Sequence, residues 1–275
     1  MGHTVSQHYD QKLETTQIIE RLREAYPQGP NPFQLAPVDQ LHIGGIKASQ
    51  KLLERIPASK EIQILDIGSG LGGLLRLAES DLGLTIVGLD ITHGLNRINQ
   101  QLSALCSDRQ SPQLITGDAH HLPFPDGQFD LIIFQHSLLN MPDDKQVLSE
   151  CYRILKPEGQ LLLHEVIQGD NFVEMSYPVP WARDAENSHL ITEAQLMNRL
   201  DQSGFDISAF SDWSDEALAW RKRQSAKETQ AKPTAAPVSP AMVLGPEFQT
   251  MGKNVMKNLS NKAARVVEVV ATKTN

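Results

Sequence analysis

Sulfur chemistry is nearly absent from this chain. Its two cysteines, Cys106 and Cys151, have neither disulfide-framework nor metal-ligand spacing, so neither a disulfide nor a metal is expected. Cys151 lies at helical intervals among Val147, Leu148, Ile154 and Leu155, the pattern of a buried structural thiol. No apolar run approaches the ~20 residues of a membrane helix. The N-terminal segment is polar and has no signal-peptide core, so a cytoplasmic protein without a membrane partner is expected. Excess positive charge is missing too. A formal net charge of −8 argues against a nucleic-acid partner, because phosphate binding favours basic surfaces. The one basic run, Arg221-Lys222-Arg223, reads as the solvated side of a helix.

What the chain does have is ILDIGSGLGG, residues 64–73. Ile62, Ile64, Leu65 and Ile67 suit a buried parallel strand that stops where the glycines begin. Glycines accept φ > 0 and leave no Cβ in the way of a ligand. The following LLRLAES has helical character, so its free N–H groups would point at the same cleft. Strand, glycine turn and helix form the nucleotide-binding element of doubly wound folds. Gly68, Gly70 and Gly73 match a dinucleotide spacing, and Gly68, Gly70 and Gly72 match G-x-G-x-G, so the turn alone does not name its ligand.

At 275 residues the chain can bury a full core, expected as one α/β domain with helical additions. Two helices, residues 11–26 and 43–56, flank the proline-rich PQGPNPFQLAP and precede the first strand as a helical lid. Strand candidates IQILDI, LTIVGLD, QLIT, FDLIIFQ and QLLLHEV then alternate with helical segments, which implies a parallel sheet covered on both faces. The helix at 143–155 begins on Asp143 and Asp144 and stops at Lys156-Pro157-Glu158-Gly159. Beyond residue 167 come an aromatic segment, residues 171–189, and a helix at 192–203. A strand at 205–213 and a charged helix follow, then an Ala/Pro/Thr-rich linker. A helix near 246–260 and the strand ARVVEVVATK close the chain. Asp90 ends the second strand, where a carboxylate accepts ribose hydroxyls in either nucleotide class; a cap or turn role is the alternative.

The stretch TGDAHHLPFPDGQFDLIIFQHSLLNMPD, residues 116–143, separates the two classes. GDA…LPFPDGQFDLI closely resembles class I S-adenosylmethionine (SAM) methyltransferases of the small-molecule, ubiquinone-methylase-like group. Asp66, two residues before Gly68, resembles their first motif, and LKPEGQLLLHE their later LKPGG strand, with Glu158 where glycine is common. DQLHIGG (39–45), YPVPWA (177–182) and LGPEF (244–248) resemble sarcosine and dimethylglycine N-methyltransferases and their relatives. The resemblance covers most of the chain and is strongest over 62–165.

The resemblance implies a Rossmann-like, mostly parallel seven-stranded sheet whose last strand, ARVVEVVATK, is reversed. It divides the chain into a lid (1–60), a SAM-binding core (61–167) and a substrate-covering remainder with the last strands and helices (168–275). Asp66, Gly68, Ser69, Gly70 and Gly72 would surround the methionyl part of SAM, Asp90 the ribose, and Asp118 and Ala119 the adenine, with Ile91 and Thr92 beside it. Gln135 and His136 are the catalytic candidates at the methyl's path, Gln135 also beside the cofactor and His136 also against the substrate. Related N-methyltransferases often show Gln-Asp-Ala there, so His136 departs from the pattern and weakens an amine assignment. His136 would act as a base toward a hydroxyl or thiol, or sit hydrogen-bonded behind the loop. His164 and Glu165 share one rim, and alternation allows only one of them toward substrate. His42 would close over the cofactor or cap a helix, and His120 and His121 are expected at the solvent or lid. Tyr9, Tyr177 and Trp181 are substrate candidates that would hold an ammonium or a flat ring, or else pack the lid. The expected acceptor is a small amine, with O- or C-methylation of a quinone, phenol or prenyl compound as the alternative.

Overall fold

The computed structural model describes residues 15–57, 61–106, 111–230 and 236–274. Three helices come first: α1 (Thr15–Ala25), α2 (Pro32–Asp39) and α3 (Ile46–Leu53). Then β1 (Ile64–Ile67), α4 (Gly73–Leu82), β2 (Ile86–Asp90), α5 (His93–Leu105), β3 (Leu114–Thr116) and β4 (Phe129–Gln135) alternate. They are followed by α6 (Asp144–Ile154), β5 (Leu155–Gln168), α7 (Glu193–Gln202), β6 (Phe205–Asp212) and α8 (Ser214–Gln230). The chain closes with α9 (Ala241–Leu244), α10 (Phe248–Ser260) and β7 (Ala264–Lys273).

The seven strands lie in the order β3-β2-β1-β4-β5-β7-β6. The first five are parallel, and β7 runs antiparallel between β5 and β6. Every residue of β1 and β2 is buried, as the continuous apolar runs required of strands covered on both faces. The order turns around between β1 and β4, and at such a switch point the carboxyl ends of neighbouring strands open a crevice. The expected 61–167 core supplies five strands, and β6 and β7 from the last third complete the sheet.

Several boundaries depart from the sequence reading for identifiable reasons. PQGPNPFQLAP, expected to separate two helices, contains α2. Asn31 caps it by accepting from Gln34 N (3.0 Å), and the Gln34 side chain accepts in return from Asn31 N (2.9 Å). This capping box and Pro32 in the first turn start a helix that Pro37 would otherwise discourage. Full burial of Leu35 and Val38 offsets the lost hydrogen bond. The next helix begins at Ile46 rather than 43, because Gly44 and Gly45 hold φ of 96° and 53°. Strand β5 starts at Leu155 rather than 160. Within it Glu158 sits at φ 61°, so its place in a glycine position is not free; a left-handed non-glycine residue costs ~1–2 kcal/mol. Arg221 is buried, not solvated, and pairs with Glu228 at 2.5 Å, whereas Lys222 and Arg223 are exposed.

The lid is tied to the nucleotide-binding half by one buried guanidinium. Arg76 in α4 donates to Asp39 at the end of α2 (2.9 Å), to Asn99 Oδ1 (2.9 Å) and Ser103 Oγ (2.8 Å) in α5, and to the Leu71 carbonyl. A buried charge must be paired and hydrogen-bonded throughout, and here two helices and the glycine turn supply the partners. Leu22, Leu35 and Val38 pack with Leu95, Ile98 and Leu102 beside it.

Candidate active site

A cavity of about 1150 Å³ opens at the carboxyl ends of β1, β2 and β4, with α2 and the 180–189 segment over it. Small-molecule pockets usually hold ~300–1000 Å³, so this one has room for a nucleotide-sized molecule and a second compound. The turn after β1 is its floor. Gly68 N and Ser69 N donate to the Leu89 carbonyl at 2.7 and 3.1 Å, which locks the turn onto β2.

The glycines of this turn have different jobs. At Gly70 (φ 52°) an added Cβ would meet nothing closer than the Gly68 carbonyl at 4.0 Å, so that face is open to the cavity. At Gly72 (φ 79°) it would lie 2.1 Å from Asn99 Oδ1, against α5. Gly73 lines the cavity while Gly72 does not. Gly72, expected beside the methionyl group, therefore works as the left-handed entry to α4 and as a packing contact.

Two carboxylates stand behind the turn. Asp90 accepts from Gly70 N (2.9 Å) and Thr92 N (2.8 Å), so it braces the turn as well as facing the cavity. Burial raises its pKa against those two hydrogen bonds. Asp66 is pushed up to about 7 by burial and by the neighbouring Asp90. Two buried acids without a counter-cation among the described residues form a place that favours a bound cation and polar hydroxyls.

The other half of the cavity begins where β4 ends. Gln135, His136 and Ser137 all line it. His136 holds φ 54°, and its N–H donates to the His164 carbonyl (2.8 Å). Glu165 Oε1 accepts from both Ser137 N and Leu138 N at 2.9 Å, and Ser137 Oγ donates to the Ile67 carbonyl (2.6 Å). Strand β5 thus holds the loop from behind and ties it to the end of β1. Burial raises the Glu165 carboxyl to about 7, against the hydrogen bonds it accepts.

Three imidazoles meet at this end. His136 and His164 stack with ring centroids 5.1 Å apart, and His42 stands edge-on at 5.9 Å from the first and 6.4 Å from the second. His42 Nε2 donates to the Gly45 carbonyl (3.1 Å) and His164 Nε2 to the Ile43 carbonyl (3.3 Å), which assigns the proton to that nitrogen in each. His136 Nε2 is buried and has no partner among the described residues. Burial and mutual repulsion hold His136 well below its usual pKa. Burial and His164 depress His42 to about 3, and burial and Lys51 depress His164 to about 4. All three are neutral at physiological pH. Among the described residues no cluster of histidine, cysteine and carboxylate side chains is arranged to hold a metal ion.

Comparison with known proteins agrees with this geometry. Residues 65–163 match the family model described as a methyltransferase domain. The chain is 26% identical over 221 residues to methyltransferase GfsG of Streptomyces halstedii, covering 77% of this chain and 76% of that one. Residues 65–163 are a methyltransferase domain, and these matches support a SAM-dependent methyltransferase. It is 33% identical over 124 residues to a demethylmenaquinone methyltransferase of Listeria monocytogenes, 44% of this chain and about half (51%) of that relative's length. A putative sarcosine dimethylglycine methyltransferase from Galdieria sulphuraria has the same fold, with TM-score 0.71 and 15% identity over 93% of this chain and 98% of that one. The seven-stranded class I fold is as expected, and SAM is the cofactor.

Of the site residues expected for such a methyltransferase, Asp66, Gly68, Ser69, Gly70, Asp90, Ile91, Asp118, Ala119, Gln135, His136 and Trp181 all line the cavity. His164 and Tyr177 do not. His164 lies behind His136 against Trp213, because residues 164 and 165 are both covered where β5 passes under the loop. Tyr177 packs in the apolar cluster around Trp213. Tyr9 lies outside the described residues. The HIGG segment is explained by tryptophans far along the chain. A Cβ at Gly44 would lie 2.5 Å from Trp213, and one at Gly45 3.3 Å from Trp220. His120 was expected at solvent or lid; it lines the cavity with its ring Nδ1 donating to Asp118 Oδ1 at 2.6 Å.

Proposed function

We propose that this methyltransferase transfers the SAM methyl to the nitrogen of a small amine, bound unprotonated beside His136. The observation that carries this is the buried Nε2 of His136, unpartnered among the described residues, with the neutral His42 beside it at the cavity and His164 stacked behind. The desolvation that lowers the imidazole pKa values acts on a bound amine in the same direction. An amine held there keeps its lone pair, which is the reactive state. The same depression makes His136 a weak general base, since catalytic bases work best with a pKa near the operating pH. This turns the departure at His136 into support for an amine. The imidazole accepts one N–H hydrogen bond and aims the lone pair.

The residues at the cofactor end fit SAM. Asp66 would face its ammonium, and Gly68, Ser69 and Gly70 would lie against the methionyl chain. Asp90 accepts from the ribose, with Ile91, Asp118 and Ala119 around the adenine. SAM supplies a methyl carbon on a sulfonium: the N–C bond forms as the C–S bond breaks, and the positive charge passes to nitrogen. Gln135 and His136 orient the acceptor, and Trp181 covers it and excludes water.

Labelled methyl transfer from SAM to glycine, sarcosine, dimethylglycine and dimethylamine, run beside catechol and a quinol, tests this. Label on an amine is expected, and label on the hydroxyl compounds alone would overturn it. The second reading, O- or C-methylation of a quinone, phenol or prenyl compound, draws on the apolar side chains of Leu41, Met141 and Leu244 in the lining.

A further inference from the structure

The turn after β3 contains a polar arrangement behind Asp118, the residue assigned above to the adenine, whose partner His120 has no role in the transfer so far. Asp118 Oδ1 accepts two hydrogen bonds from one residue, the His120 backbone N–H at 3.0 Å and the His120 ring Nδ1 at 2.6 Å. A ring nitrogen that close to a carboxylate oxygen must be carrying the hydrogen, so the tautomer is set. His120 is held in turn. Its carbonyl accepts from Gln146 Nε2 (3.1 Å) in α6, and His121 N donates to the Asp118 carbonyl (3.0 Å), closing the turn. The Asp118 side chain is 44% exposed, so solvent alone would leave it several rotamers. With both donors on Oδ1, the oxygen Oδ2 accepts no hydrogen bond among the described residues, and Asp118 lines the cavity.

We propose that His120 is a positioning residue for cofactor recognition, holding Asp118 so that its free oxygen reads the 6-amino group of the purine. The proposal rests on the assignment of Asp118 to the adenine. Partial burial works to raise the Asp118 pKa, but the hydrogen bonds and charge from His120 outweigh it and keep the group below the usual carboxylate range. An ionised carboxylate only accepts hydrogen bonds. It therefore favours a purine that presents N–H there and disfavours one that presents a carbonyl oxygen. That discrimination requires a fixed oxygen, because a mobile carboxylate turns to water when the wrong purine is bound.

S-adenosylhomocysteine and S-inosylhomocysteine differ by amino against oxo at this position and by the hydrogen that the inosyl compound carries on the adjacent N1. Calorimetry with both, on wild type, Asp118→Asn and His120→Ala, tests the idea. Wild type is expected to prefer the adenosyl compound by about tenfold or more, as one hydrogen bond to a charged acceptor supplies. His120→Ala should reduce affinity for the adenosyl compound severalfold and leave the inosyl compound unchanged, which also shows that the variant is folded. Equal weakening of both ligands would mean a merely structural histidine and overturn the proposal. If His120→Ala keeps the full preference while Asp118→Asn loses it, His120 is wrongly assigned but Asp118 stands. If wild type shows no preference, the adenine assignment of Asp118 fails, and the proposal with it.

Discussion

Gly70 and Gly72 are two residues apart, both at positive φ, yet an alanine at each should damage a different property. At Gly72 the new methyl meets Asn99 Oδ1 at 2.1 Å, and Asn99 is not free to withdraw because that oxygen accepts from Arg76 at 2.9 Å. Overpacking of this kind costs ~1–3 kcal/mol, and the left-handed backbone adds ~1–2 kcal/mol. Gly72→Ala should therefore lose ~2–5 kcal/mol, a fall in Tm of roughly 4–20 °C at ~2–4 °C per kcal/mol. Gly70→Ala bears only the backbone cost of ~1–2 kcal/mol, because its methyl points into open cavity. That methyl would occupy the surface proposed for SAM, so S-adenosylhomocysteine affinity should drop by about tenfold or more, the cost of an unaccommodated methyl. Melting curves of the free proteins and calorimetric titrations with S-adenosylhomocysteine read the two effects separately. A Gly70→Ala protein that binds like wild type would refute the placement of the cofactor against this turn. A Gly72→Ala protein that melts like wild type would refute the wedge at Asn99.

Two further expectations concern the buried acids. Asp66 is pushed up to about 7 in the free protein, and a bound ammonium needs it ionised. Affinity for S-adenosylhomocysteine should rise with pH by up to about tenfold per unit below 7 and level off above it; the Asp66→Asn variant should lose this slope, and a flat wild-type profile between pH 5 and 8 would count against the assignment. Glu165 has a folded pKa raised to about 7 from an ordinary 4.5, so its contribution to stability is present at low pH and is lost as pH rises through that window. Glu165→Gln keeps an acceptor for Ser137 N and Leu138 N without the buried charge. Denaturant unfolding should find it more stable than wild type at pH 8, by on the order of 3 kcal/mol, and no more stable near pH 4.5. A variant less stable at every pH would show that the charge itself holds the loop.

What could be read in advance follows a physical line. Buried parallel strands announce themselves because both faces are covered, and β1, β2 and β4 are largely apolar runs, the first followed by Gly68, the second ending on Asp90 and the third on Gln135. Helix α2 was missed because Pro37 argues against a helix locally, and the capping box with two buried side chains outweighs it only once the lid packs. Arg221 was misplaced because a basic run looks the same on the solvent face and against Gly252, where the Arg221 guanidinium lies.

By itself, then, the sequence determined the class of fold, the position of the glycine turn and the chemistry of the cofactor, since each is written in residues adjacent along the chain. Tertiary structure decided which glycine faces the cavity, because that depends on Asn99 coming from a different helix. It also decided that three histidines, at 42, 136 and 164, form one neutral cluster. Their pKa values come from mutual burial, and burial belongs to the packed molecule rather than to any stretch of its sequence.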